Sequence, residues 1–247
     1  MGVTWVAAIF LACWSTPAAR SGMVFHLPES LEAETVRQLA SQVEEHVNRS
    51  RKQGKEDRFL LVLDFNPGGR PMRLTNLDAC LALTRLLQGL DRAKVLTVGW
   101  VEGDLTGHGV LPALACEDLL MSAKATLGPA HEAAEELDPI YKAAYEDAAR
   151  RQGRSAVVAR KLVDGRTSIR RDPDARAGAD RFRDGNAFAN GEMVVEAGAP
   201  GRFDRARALE LGLCAGDSPG NLDQLLLRYK LSKDSLAVFA RAEGPVV

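Results

Sequence analysis

The chain has 247 residues, enough for one large domain or a domain with extensions, and a hydrophobic fraction of 46% supports a sizeable core. A formal net charge of −1 gives no electrostatic case for nucleic-acid binding. Four cysteines, Cys13, Cys80, Cys116 and Cys214, lie far apart with no CxxC pair and no Cys/His zinc spacing, so neither a metal nor a cofactor is expected. Cys80, Cys116 and Cys214 sit among apolar neighbours and read as small buried hydrophobes.

In chain order, Val3 to Trp14 is an apolar run followed by Ser15-Thr16-Pro17-Ala18-Ala19. That is the pattern of a secretory segment with a small-residue cleavage site, although no Lys or Arg precedes it. A buried N-terminal helix is the other reading. The run is shorter than the ~20 apolar residues that span a bilayer. Met23 to Leu27 predicts a strand, and Ser30 is placed to cap a helix carrying Val36, Leu39, Val43 and Val47 on one face. Phe59 to Phe65 is almost unbroken apolar sequence, as in a strand buried on both faces of a parallel sheet. A helix follows over Leu77, Leu81, Leu83 and Leu87, and then a strand from Val95 to Val101. A Gly-rich turn spans Gly103 to Gly109, with a small-residue helix after it and a short strand at Leu119 to Ser122. Helices are predicted at Tyr141 to Arg151 and Ser155 to Val163, broken at Gly153. Arg166 to Asn190 mixes arginines with aspartates and reads as an exposed excursion with a solvated face. Met193 to Glu196 predicts a strand, and Ala206 to Leu213 and Asn221 to Tyr229 predict helices. Strands alternating with helices mean an α/β fold with a mainly parallel sheet.

The most informative segment is Asp64-Phe65-Asn66-Pro67-Gly68-Gly69, which ends a buried strand and precedes a helix. Its glycines permit backbone shapes closed to other residues, and such a turn can aim amides at a developing oxyanion. Further on stand Leu114-Ala115-Cys116-Glu117-Asp118-Leu119-Leu120-Met121, then Thr126-Leu127-Gly128-Pro129-Ala130, and finally Arg205 to Leu213. In this order the segments resemble the NfeD-like, membrane-associated serine proteases of the ClpP/crotonase superfamily. The resemblance runs from about Met23 to Gly216. It implies an α/β, ClpP/crotonase-like spiral of strand-strand-helix units, with a mainly parallel sheet flanked by helices. The domain would cover residues 21–218, after a probable leader at 1–20 and before a C-terminal helix and tail at 219–247.

The resemblance also assigns roles. Gly68 and Gly69 match the oxyanion-hole amides. Counted back without gaps from Met121, the nucleophilic serine falls on Gly107, which has no side chain to attack with. The general-base lysine falls near Glu146, with Lys142 one helical turn earlier on the same face and Tyr145 beside it. A serine at position 107 would restore part of the geometry but not the base. Thr106 and His108 flank Gly107 and are the nearest substitutes as nucleophile and base, while Cys116 is a poor nucleophile among apolar neighbours. His131, Glu132 and Asp138 lie in a loop-like stretch and read as surface residues, with the mouth of a pocket as the other reading. The expectation is an inactive protease homologue that binds a peptide or membrane-protein partner, forms homo-oligomers and is exported or membrane-associated on the extracytoplasmic side. An active peptidase using Thr106, or a crotonase-type acyl-thioester enzyme using the Gly68/Gly69 turn with Glu117 or Glu146, are the alternatives.

Overall fold

A computed structural model describes residues 21–52, 57–131, 137–175, 178–217, 219–231 and 236–239. The apolar segment at 1–20, for which a leader is expected, lies outside them, as does Glu132. Three successive units share one pattern of strand, short strand and helix. They are β2 (Phe59–Asp64), β3 (Met72–Leu74) and α2 (Leu77–Gly89), then β4 (Val95–Val101), β5 (Asp104–Gly107) and α3 (Val110–Ala115), and then β6 (Asp118–Met121), β7 (Thr126–Leu127) and α4 (Pro139–Arg151). Ahead of them come β1 (Gly22–His26) and α1 (Ala33–Lys52). Ser30 stands three residues before α1, too early to cap it.

The first strand of each unit enters a five-stranded sheet in the order β12-β1-β2-β4-β6, parallel throughout, with β12 at Leu236–Val238. The second strand of each enters a smaller sheet, β11-β7-β5-β3, with β11 at Phe203–Asp204. Each unit therefore turns a corner between two sheets, which produces the spiral.

Alternation along β2 explains its continuous apolarity. Phe59, Leu61 and Leu63 join the larger core with Val36, Leu39 and Leu83 of α1 and α2. Leu60 and Val62 face the other way, against Leu225, Leu226 and Tyr229. Leu225 and Leu226 belong to α7 (Leu222–Arg228), so the C-terminal helix covers the second face of the main sheet and packs into the same body. A strand with both faces buried has no place for polar residues.

Arg154 locks the far side. Its buried guanidinium donates to the carbonyls of Leu114, Cys116, Glu117 and Leu213 at 2.8–3.1 Å. The excursion at 166–190 supplies β8 (Ile169–Arg171) and β9 (Phe182–Asp184), which join β10 (Glu192–Val195) in an antiparallel sheet. Arg171 is ion-paired with Glu192 and Glu210 and Arg183 with Asp172, whereas Arg170 and Arg181 donate to the carbonyls of Gly191 and Glu210.

Candidate functional site

A cavity of about 390 Å³ opens where β3 and β5 end and the chain leaves β7. Thr106, Gly107 and His108 form one wall, Arg73 and Leu74 a second, and Pro129 to His131 a third. The fold thus brings Thr106, Gly107 and His108 together with His131, which lines the cavity rather than standing apart on the surface.

Gly107 is the last residue of β5, with φ +68°. A Cβ built on it would stand 2.3 Å from the carbonyl oxygen of Leu74, closer than any real contact. The β3 backbone therefore occupies the space in which a serine side chain would begin. This corrects the expectation that a serine at 107 would recover part of a nucleophile geometry. Neither amide of the turn is turned to a ligand: Gly107 N–H donates to Pro129 O at 2.9 Å, and His108 N–H to Leu74 O at 2.6 Å. The hydroxyl of Thr106 donates to Met72 O at 3.3 Å, which ties it to β3 rather than to a base.

His108 is held by another element. Its Nδ1 is 2.9 Å from the hydroxyl of Tyr145, and its ring stacks on His131 at a centroid separation of 6.1 Å. Burial lowers the His108 pKa below its ordinary value, and the neighbouring His131 adds to the effect. The imidazole is therefore kept neutral. Tyr145 is fully buried, and burial raises its pKa, so its hydroxyl stays protonated.

The helix phase at α4 differs from the expected one. Tyr145, not Glu146, reaches the Gly107 turn. Glu146 pairs with Arg150 at 2.7 Å and Arg160 at 2.6 Å, and Arg160 also holds Asp184 at 2.9 Å. Lys142 pairs with Asp164 at 3.0 Å. Burial opposes the charge on Asp164, but hydrogen bonds from Arg166 and Lys142 outweigh it and lower its pKa to about 2. Both groups matched to the base are thus engaged in ion pairs away from the cavity.

The Pro67-Gly68-Gly69 turn forms the corner between the two sheets. Gly68 and Gly69 have φ of +72° and +70°, which glycine alone adopts without strain. Gly69 N–H is taken by Asn66 O at 2.7 Å. The side-chain amide of Asn66 donates to the carbonyls of Arg70 and Asp104 at 2.8 and 2.9 Å. These bonds fix the corner to β5, and neither glycine lines the cavity. Glu117, weighed as an acid/base group, is ion-paired with Arg58 outside the cavity lining. Among the described residues no group of three His, Cys, Asp or Glu could hold a metal ion, and no helix is long and apolar enough to cross a membrane.

One pair escaped sequence reasoning. His26 and Asp64 meet at the ends of β1 and β2, Nδ1 to Oδ2 at 2.8 Å. The signal lies in the register that sets residue 26 opposite residue 64, which spacing alone does not reveal.

Among known proteins, the structure is similar to a membrane-bound stomatin-specific protease in two mutant forms. A serine-to-alanine mutant superposes with a TM-score of 0.53 at 12% identity, covering 91% of this chain and 100% of that one. A lysine-to-alanine mutant in complex with a substrate peptide gives 0.54 at 12% identity, covering 92% and 94%. A phosphoglycerate mutase of the 2,3-bisphosphoglycerate-independent type, from Chromohalobacter salexigens, is 34% identical over 86 residues, a stretch that spans 34% of this chain but 16% of that protein. No family model matches the sequence. The spiral of strand-strand-helix units, the mainly parallel sheet and these superpositions together give the chain the ClpP/crotonase fold.

Proposed function

We propose that this domain is a protease homologue of the ClpP/crotonase fold that holds an extended peptide without cutting it. The observation that carries this reading is the contact at Gly107, where the Leu74 carbonyl fills the place of a nucleophile's Cβ. The amides of residues 107 and 108 satisfy protein carbonyls, and the groups matched to the base are paired elsewhere.

The surface that would hold a peptide is β3, the outermost strand of its sheet among the described residues. The carbonyl of Leu74 and that of Met72 accept bonds from the β5 side. Backbone groups alternate along a strand, so these bonds lie on one side of β3 and the other side is the edge of the sheet. An added strand gains affinity there from main-chain bonds, and side chains drop into the adjoining cavity. The likeness to a protease seen with a substrate peptide supports this mode. The partner we propose is a segment of a membrane-associated protein, engaged by a homo-oligomer on the extracytoplasmic side.

The test is retention of a mixed-peptide library on the purified protein, read by mass spectrometry, beside copies of the retained peptides methylated at their backbone nitrogens. Methylation removes the N–H donors that an added strand needs and leaves the side chains unchanged. Retention of intact peptides, lost on methylation, supports the reading. Cleaved products, or equal retention of the methylated copies, would overturn it.

A further inference from the structure

A second cavity, about 510 Å³, opens at the C-terminal ends of β1 and β2. In parallel α/β sheets this end of the strands is where ligands bind. Its walls are mixed, with Leu27, Pro28, Pro67, Pro71 and Met72 apolar and His26, Glu29, Ser30, Glu32 and Arg70 polar.

His26 stands at its mouth as the last residue of β1. The histidine side chain is 50% exposed, whereas that of Asp64, which it contacts, is 4% exposed. The other carboxylate oxygen of Asp64 accepts the N–H of Asn66 at 3.2 Å. An ionised carboxylate only accepts, so Nδ1 of His26 carries the hydrogen. Nε2, on the exposed half of the ring, accepts while the imidazole is neutral. Asp64 of β2 contacts this ring, and the charged residues that line the cavity with it are Glu29 and Glu32 of the loop after β1 and Arg70 of the segment before β3. Arg70 and Glu29 stand 4.0 Å apart and offset each other. The remaining balance is negative.

We propose that this cavity is a binding site for an alkylammonium group, the side chain of a lysine in a partner protein. The methylene stem lies against the prolines and Met72, and the ammonium is shared between Glu32 and Nε2 of neutral His26. An ammonium donates only, and both of these groups accept. The bond to Asp64 raises the His26 pKa, with burial opposing it. Protonation replaces the acceptor at Nε2 and adds a repelling charge, so the proton and the ammonium compete.

The experiment is nuclear magnetic resonance on the full chain with labelled histidines, His26 being assigned by its loss in His26→Gln. The probes are N-acetyl-lysine methylamide and its norleucine and glutamate counterparts. The lysine probe is expected to move the His26 ring signals saturably, at least about threefold more tightly than norleucine. Glu32→Gln, at an exposed position, should abolish the preference, and acidification from about pH 8 to about pH 6 should weaken binding. Equal binding of norleucine, preference for glutamate, or no movement with any probe would overturn the proposal. None of those outcomes bears on peptide capture along β3, which the methylated peptides test separately.

Discussion

The hydroxyl of Tyr145 and Nδ1 of His108 stand 2.9 Å apart, so the helix α4 reaches the Gly107 turn through a phenol. This bond, with the stack on His131, sets how the imidazole faces the cavity. Tyr145→Phe removes a buried hydrogen bond, so it should lower unfolding free energy by about 1 kcal/mol in urea titration. Peptide retention along β3 should survive. Loss of retention in a folded Tyr145→Phe protein would mean that the histidine, not the strand edge, holds the ligand.

Position 107 offers the sharpest steric test. Any side chain there meets the Leu74 carbonyl and must also adopt a positive φ. Gly107→Ala and Gly107→Ser should both cost about 2–4 kcal/mol, and the serine form should gain no peptidase activity. A serine form that melts with the native protein and cleaves peptides would refute the steric argument.

The two partnered histidines should pull stability in opposite directions with pH. His108 is kept below its ordinary 6.5 by burial. Its contribution is present above 6.5 and is lost as pH falls through the depressed value. His26 is raised above 6.5 by its bond to Asp64. Its contribution is full below 6.5 and is lost as pH rises through the raised value. Melting curves of His108→Gln should therefore show a weaker acid destabilisation than the native protein, and those of His26→Gln a weaker loss on the alkaline side. Parallel pH profiles for all three proteins would contradict both assignments.

Thiol chemistry should be silent. Burial pushes Cys80 and Cys116 up to about 12, and it raises Cys214 as well. Under native conditions, iodoacetamide near neutral pH should leave these three unmodified, and all should react once urea unfolds the chain. Native labelling of Cys116 would mean that the α3–β6 turn opens readily.

The main sheet was legible because β2 and β4 carry long apolar runs that only a doubly covered strand can use. The corner at Pro67-Gly68-Gly69 was legible because proline and glycine restrict or extend the backbone in known ways. The smaller sheet was not, since β5 and β7 are two to four residues long and contain glycine or polar residues, which read as turn. The strand β12 was missed for a similar reason, being three residues paired with β1 from the opposite end of the chain. Gly107 was placed at its turn by counting residues from a neighbouring motif. The phase of α4 was out of reach, because Tyr145 and Glu146 each have an apolar stem and a polar end, and packing chooses between them. The His26–Asp64 pair depends on strand register, which is a property of the folded sheet.

Arg154 ties together stretches that the chain visits far apart, the turn between α3 and β6 and the segment after α6 (Arg205–Glu210). Four carbonyls depend on a single fork of donors, so the two stretches cannot loosen independently. Amide hydrogens of Cys116 and Leu213 should exchange with solvent at matching rates, as parts of one opening unit. Arg154→Lys, which offers one ammonium in place of a planar fork, should speed both together. The helix α3, which leaves the Gly107 turn, is in this sense fastened at its far end by a residue that lines no part of the cavity.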